Sequence, residues 1–284
     1  MVVPGILFES CRLERKRIMR KPSGLILYEG PSLINGEPII AIANCFSRSE
    51  NKKTGKNTIQ TWILPRFTSP TIARNTCEDK SVCGDCKHRE WSTCYVNLGH
   101  GPFGVFHAYH RGTYKPLNTE FMKMFKGKVL RMGSYGDPTA IPYDIWASVA
   151  KVSKGVIGYT HQWKTCDQRF SHFCMASVDN VNEAISAKNQ GWRTFRTMIE
   201  GDSLLADEYH CPAANESGHK TTCDKCSGCG GTSSKMPKHP VIIVHGRSSQ
   251  RYVAIIEAIR RHKKRSHLVV PGNFRAKRKV KGKV

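Results

Sequence analysis

Residues 128–160 read KVLRMGSYGDPTAIPYDIWASVAKVSKGVIGYT. Residues 128–133 form a short apolar run closed by Gly and Pro, which predicts a strand, and 141–152 carry apolar residues at helical spacing. Residues 155–160 are a second apolar run, so strand, helix and strand follow in the order of a parallel pair with its crossover. Downstream the rhythm continues: 173–178, 192–198 and 241–245 read as strands, 181–189 and 250–262 as helices. Short apolar strands alternating with helices predict an α/β fold around a parallel sheet covered on both faces. Five such strands predict a whole or partial (β/α) barrel ahead of an open doubly wound sheet, and no Gly-x-Gly-x-x-Gly fingerprint follows any of them.

Upstream, 24–29 and 38–43 flank Ile34-Asn35-Gly36, a hairpin signal, and 58–64 offers a third strand. Residues 103–109 and 119–125 have helix-like spacing. The chain therefore divides into a basic segment with a β-hairpin region (1–70), a Cys-rich barrel-like core (71–262) and a basic tail (263–284).

In a parallel barrel the chemistry collects where strands end, because the loops there bring side chains of several strands to one mouth. The first strand runs into Tyr135-Gly136-Asp137-Pro138, the second into Tyr159-Thr160-His161-Gln162-Trp163, and the third into Ser177-Val178-Asp179-Asn180. Asp137, Asp179 and His161 are thus the candidate catalytic groups, two carboxylates at one mouth being able to divide attack and proton transfer. Tyr135, Tyr159, Gln162 and Trp163 are candidates for holding a base by stacking and hydrogen bonding. The competing expectation for both aspartates is a helix N-cap, and for Trp146 and Trp192 a place in the core.

Twelve cysteines in a chain without an export signal point to metal or redox chemistry rather than disulfides. Cys223, Cys226 and Cys229 follow one another at x2 spacing on a Gly-rich turn, and Cys211-Pro212 supplies a fourth thiol upstream. Such spacing lets neighbouring thiolates reach one centre, so a metal is expected, zinc first and a [4Fe–4S] cluster as the alternative. A second group, Cys77, Cys83, Cys86 and Cys94, offers four more thiols, with His88 as a substitute ligand. Cys11, Cys45, Cys166 and Cys174 lack ligand spacing and are expected to pack as small apolar groups.

The chain has 45 Lys+Arg against 22 Asp+Glu, a formal net charge of +23. Much of the excess sits in Arg12 to Lys21 and in the eleven Lys/Arg between Arg260 and Val284, where no acid interrupts them. That balance predicts a polyanionic partner gripped through its phosphates. With 39% hydrophobic residues over 284 positions, wholesale disorder is excluded. No apolar run approaches the roughly 20 residues of a spanning helix, and the apolar stretch near the N-terminus is too short for a signal peptide, so no membrane partner and a cytoplasmic location are expected.

Cys83-x2-Cys86, Cys94-Tyr95, Gly136-Asp137, Tyr159 to Trp163, Ser177-Val178-Asp179 and Cys211-Pro212 before the late cluster resemble a group of cysteine-rich phage proteins of poorly defined function. More remotely, a basic barrel with two strand-end aspartates and a late three-Cys loop is similar to the tRNA-guanine transglycosylases and their DNA-directed relatives. That resemblance implies base exchange at guanine, DNA more than RNA as partner, a 7-deazaguanine-type base as small substrate, an Asp nucleophile and structural zinc. Its zinc motif is Cys-x-Cys-x2-Cys with a later His, whereas here the late spacings are all x2 and His239 or His245 would compete with Cys211 as fourth ligand. The chain also resembles radical S-adenosylmethionine enzymes, partial barrels with a three-Cys loop usually spaced Cys-x3-Cys-x2-Cys, whereas the first gap here, Cys77 to Cys83, is x5, and Gly136-Asp137 is a loose echo of the acidic motif that family uses for its cofactor. A third expectation is non-catalytic: a phage DNA-binding or replication accessory riveted by metal sites.

Overall fold

The hairpin around Asn35-Gly36 is present as its sequence dictates. In the computed structural model, which describes residues 21–246 and 248–268, Gly24–Pro31 (β1) pairs antiparallel with Pro38–Asn44 (β2). Gly36 takes the positive φ of 83° that the turn requires, and Asn35 Oδ1 accepts the Glu37 amide at 3.2 Å. Thr58–Pro65 (β3) continues the meander, antiparallel to β2 with Ala41 opposite Ile63. Both faces of β2 are covered, since Ile39, Ile40, Ala41, Ile42 and Ala43 are all fully buried.

Between β3 and the next parallel strand lie four helices, Pro70–Thr76 (α1), Lys80–Cys83 (α2), Lys87–Glu90 (α3) and Gly101–His110 (α4), and the short edge strand Lys115–Pro116 (β4) beside β1. The expected helix at 119–125 is a 3-10 turn, Phe121–Phe125. Val129–Tyr135 (β5) then pairs parallel with β3, with Gln60 beside Arg131. Tyr143–Val152 (α5), Gly155–Thr160 (β6), Met175–Val178 (β7), Val181–Asn189 (α6) and Thr194–Met198 (β8) follow as read, each new strand parallel to the last. Glu208–His210 (β9), the short helix Cys223–Cys226 (α7), His239–Ile243 (β10) and Ser249–Leu268 (α8) complete the described chain.

The result is one α/β sheet of ten strands in the order β4-β1-β2-β3-β5-β6-β7-β8-β10-β9. From β3 to β10 the six neighbours stand in chain order and are all parallel. The ladder has two ends, β4 and β9, so among the described residues the sheet is open rather than closed into a complete barrel. Helix α5 shows why the pattern works: Trp146 and Val149 are fully buried, and the Trp146 indole donates to the Pro138 carbonyl at 2.9 Å, fixing the helix over the end of β5. Trp192 is core as expected, its indole donating to Gln168 Oε1 at 2.8 Å.

The basic stretch before Lys21 and the basic tail after 268, with Cys11, lie outside the described residues. Among the described residues no helix is long and apolar enough to cross a membrane.

Candidate functional site

Strands β5, β6 and β7 deliver Asp137, His161 and Asp179 to the same end of the sheet. The turn after β5 is steep: Gly136 has φ 83°, and a Cβ there would lie 2.7 Å from the Ile63 side chain and carbonyl, so only glycine fits. The Asp137 amide donates to the Val82 carbonyl at 2.6 Å, tying α2 to this strand end. Its carboxylate is 7% exposed and fully engaged. Oδ1 accepts the Thr139 amide (3.1 Å) and hydroxyl (2.8 Å), and Oδ2 accepts the Thr160 hydroxyl (3.0 Å) and the His161 amide (2.9 Å). Asp137 is therefore the cap and clasp between β5 and β6.

Asp179 is equally buried but differently used. Its Oδ1 meets His88 Nε2 at 3.1 Å and the Tyr252 hydroxyl at 3.4 Å, while Lys87 Nζ stands 3.8 Å from Oδ2. Burial would raise this carboxyl, but the His88 hydrogen bond and charge, then His161 and Lys87, outweigh it and bring it down to about 2. Tyr252 of α8 stacks on the His88 ring with centroids 5.3 Å apart, and the His88 and His161 rings meet edge-on at 5.5 Å. Among the described residues, His88, His161 and Asp179 are the one group of three or more His, Cys, Asp or Glu whose ligand atoms all lie within 4.8 Å of one another.

Directly behind Asp137 is the early thiol group, on the segment between β3 and β5. Cys83 ends α2 and Cys86 caps α3, joined by a turn in which a Cβ at Gly84 would meet the Gln162 side chain at 2.6 Å. Cys83, Cys86 and Cys94 interact electrostatically with one another. Desolvation first, then the neighbouring thiols, push Cys83 well above its ordinary value. Cys94, exposed as a residue, is raised as well. The buried Tyr135 hydroxyl faces Cys83, Asp79 and Cys94. Cys77, at the left-handed C-cap of α1, is exposed and lies against the Arg89 guanidinium. Arg89 is itself pinned by Asp79 at 2.7 Å.

The late group is held by backbone on every side. Cys211, Cys223, Cys226 and Cys229 interact with one another, and burial pushes the Cys223 thiol up to about 11. The Cys223 amide donates to Lys53 O, Asp224 accepts the Asn57 amide, Cys229 O accepts the Gly158 amide, and the Cys211 amide donates to Val241 O at 2.8 Å. Arg193 adds two bonds, to Gly228 O and Gly231 O. Cys211 is thus the fourth member. His239 instead accepts the Thr194 amide and faces Asp207, and His245 is exposed.

The predicted base-holding residues separate. Tyr135 belongs to the early thiols and Gln162 braces them, its amide donating to Cys83 O at 3.3 Å. Tyr159 packs on Phe195 and beside Cys229 of the late group, and Trp163 is core, with Lys164 Nζ 5.1 Å from its ring centre. Of the cysteines without ligand spacing, Cys174 is fully buried as expected, while Cys45 and Cys166 are half-buried. Sequence reading did not find Lys87 or Tyr252 at the mouth, nor Arg131, which donates to the Tyr95 hydroxyl at 3.1 Å and lies beside Cys223, between the two thiol groups. His88 was legible only as a spare thiol-site ligand, because its partner Asp179 is 91 positions away.

No family model, curated protein or solved structure matches the chain.

Proposed function

We propose that the chain is an iron–sulfur enzyme of the radical S-adenosylmethionine kind, acting on a nucleic acid. The observation that carries this reading is the gathering of Cys83, Cys86 and Cys94 at the end of a run of six parallel strands in chain order, with Cys77 turned to Arg89. Three thiolates leave one iron of a [4Fe–4S] cluster without a protein ligand, and that iron is where S-adenosylmethionine would be bound and reduced. The donor chemistry is of the kind such a cluster takes, three cysteine thiols from one turn and the segment beside it. The parallel run in chain order is compatible with a partial barrel, and the spacing departs from Cys-x3-Cys-x2-Cys.

The chain's own residues prepare the place. Gln162 and the Asp137 amide lock the Cys83 turn to β6 and β5, and Tyr135 closes it from the strand side. The late group, with four thiols, offers a complete shell and serves as a rivet or an auxiliary centre. The net charge of +23 supports a polyanionic substrate.

Base exchange draws on one observation, that Asp137 and Asp179 both approach His161. An attacking carboxylate needs a free oxygen facing substrate; both oxygens of Asp137 are taken by four donors, so base exchange would fall to Asp179, whose Oδ2 stands 3.8 Å from Lys87 Nζ. Anaerobic purification followed by iron, sulfide and zinc analysis tests the proposal: about four irons that disappear in Cys83→Ala are expected, and a colourless zinc protein removes the cluster, leaving the metal-riveted nucleic-acid-binding protein ahead.

A further inference from the structure

His88, His161 and Asp179 come from α3, the loop after β6 and the end of β7, so no local turn explains why they meet. We infer that they bind a divalent first-row transition-metal ion of their own, at a site separate from both thiol groups. Ligand atoms around a tetrahedral ion bonded at about 2.1 Å lie roughly 3.4 Å apart. His88 Nε2 and Asp179 Oδ1 already stand at 3.1 Å, and a ring nitrogen of His161 lies within 4.8 Å of a ligand atom of each of the other two residues.

Independently, the buried His161 Nε2 has no hydrogen-bond partner among the described residues. A buried polar nitrogen left unpaired is destabilising, and the ring that carries it lies edge-on to His88 and groups with Asp179. A cation satisfies all three at once.

The surroundings are those of a ligand set held from behind. His88 Nδ1 is bonded to the Thr93 hydroxyl at 2.9 Å, which fixes the ring and directs Nε2 inward. Asp179 is held by the Tyr252 hydroxyl, and its amide donates to Glu183 at 3.0 Å. Lys87 lies near Oδ2 but is paired with Glu183, so Asp179, Glu183 and Lys87 together keep one negative charge facing the ion. Two imidazoles and one carboxylate suit zinc or iron(II) rather than magnesium or calcium, and three protein ligands leave positions open for water or substrate.

The experiment is zinc loading of the anaerobically purified full chain, followed by dialysis, elemental analysis and zinc-edge X-ray absorption. One zinc per chain is expected beyond whatever the thiol groups hold, with a nitrogen/oxygen shell near 2.0–2.1 Å distinct from any sulfur shell near 2.3 Å. In His161→Asn that zinc should bind at least ten-fold more weakly while iron and sulfide stay unchanged. Loss of iron together with zinc, zinc with sulfur ligands only, or zinc content equal in wild type and variant overturns the site. The absorption measurement needs no variant, so a His161→Asn chain that failed to fold would still leave the proposal open to refutation.

Discussion

Asp137 and Asp179 carry the same side chain to neighbouring strand ends and are put to different uses by what surrounds them. Asp137 accepts four hydrogen bonds, two from Thr139 in its own turn and two from Thr160 and His161 that join β5 to β6, and an amide in its place presents a donor where two donors already point. Asp137→Asn is therefore expected to lower stability by about 2–4 kcal/mol in urea unfolding; a variant of unchanged stability that loses activity would make Asp137 a reacting group instead. The sequence placed both aspartates and His161 correctly at strand ends, since Gly136-Asp137-Pro138 and Asp179-Asn180 end apolar runs. It could not show that Asp137 is saturated, because Thr160 and His161 reach it across 23 and 24 positions. The same distance in sequence hid the pairing of His88 with Asp179.

Among the elements, β9 depends most on tertiary context, since three residues carry no period to read. It is held beside β10 while Glu208 reaches past that strand to Arg196 of β8, both nearly without exposure, at 2.6 and 2.9 Å. Burial would raise the Glu208 carboxyl, but the Arg196 hydrogen bonds, the Leu205 amide and the Arg196 charge outweigh it, leaving it below the ordinary value. A carboxyl depressed on folding stabilises the protein above its unfolded pKa, near 4.3, and that contribution fades as pH falls from there through the lower folded value. Glu208→Gln should cost about 3–5 kcal/mol at neutral pH and flatten the acid limb of the stability profile below pH 4.3; an unchanged acid limb would show that other carboxylates dominate it. The late cysteine loop was legible from its x2 spacing, and the hydrogen bonds with Lys53 and Asn57, Gly158 and Val241 make it a clamp on three segments. Cys226→Ala is accordingly expected to loosen residues 208–246, read as lost hydrogen-exchange protection there, and a metal-replete variant with native protection contradicts that role.

For the molecule as a whole, alternation and apolar runs were enough to give an α/β protein with a parallel sheet, because buried parallel strands leave a continuous signal. They could not give the joining of the N-terminal meander to that sheet through β3 and β5, which rests on a pairing 71 positions apart at Gln60 and Arg131, nor the two free ends of the ladder. Charge acts at this scale too. Truncation after Pro271 removes Arg275, Lys277, Arg278, Lys279, Lys281 and Lys283, and should weaken nucleic-acid binding evenly across sequences while making its salt dependence shallower. An unchanged salt slope would assign the grip to the body of the protein. The proposed chemistry is tested most directly by electron paramagnetic resonance of the anaerobically reduced full chain with and without S-adenosylmethionine. A reduced-cluster signal that shifts on adding S-adenosylmethionine, and that is lost in Cys83→Ala while any signal from the late group persists, is the predicted result. A chain with no such signal, or one indifferent to S-adenosylmethionine, contradicts an open iron at Cys83, Cys86 and Cys94.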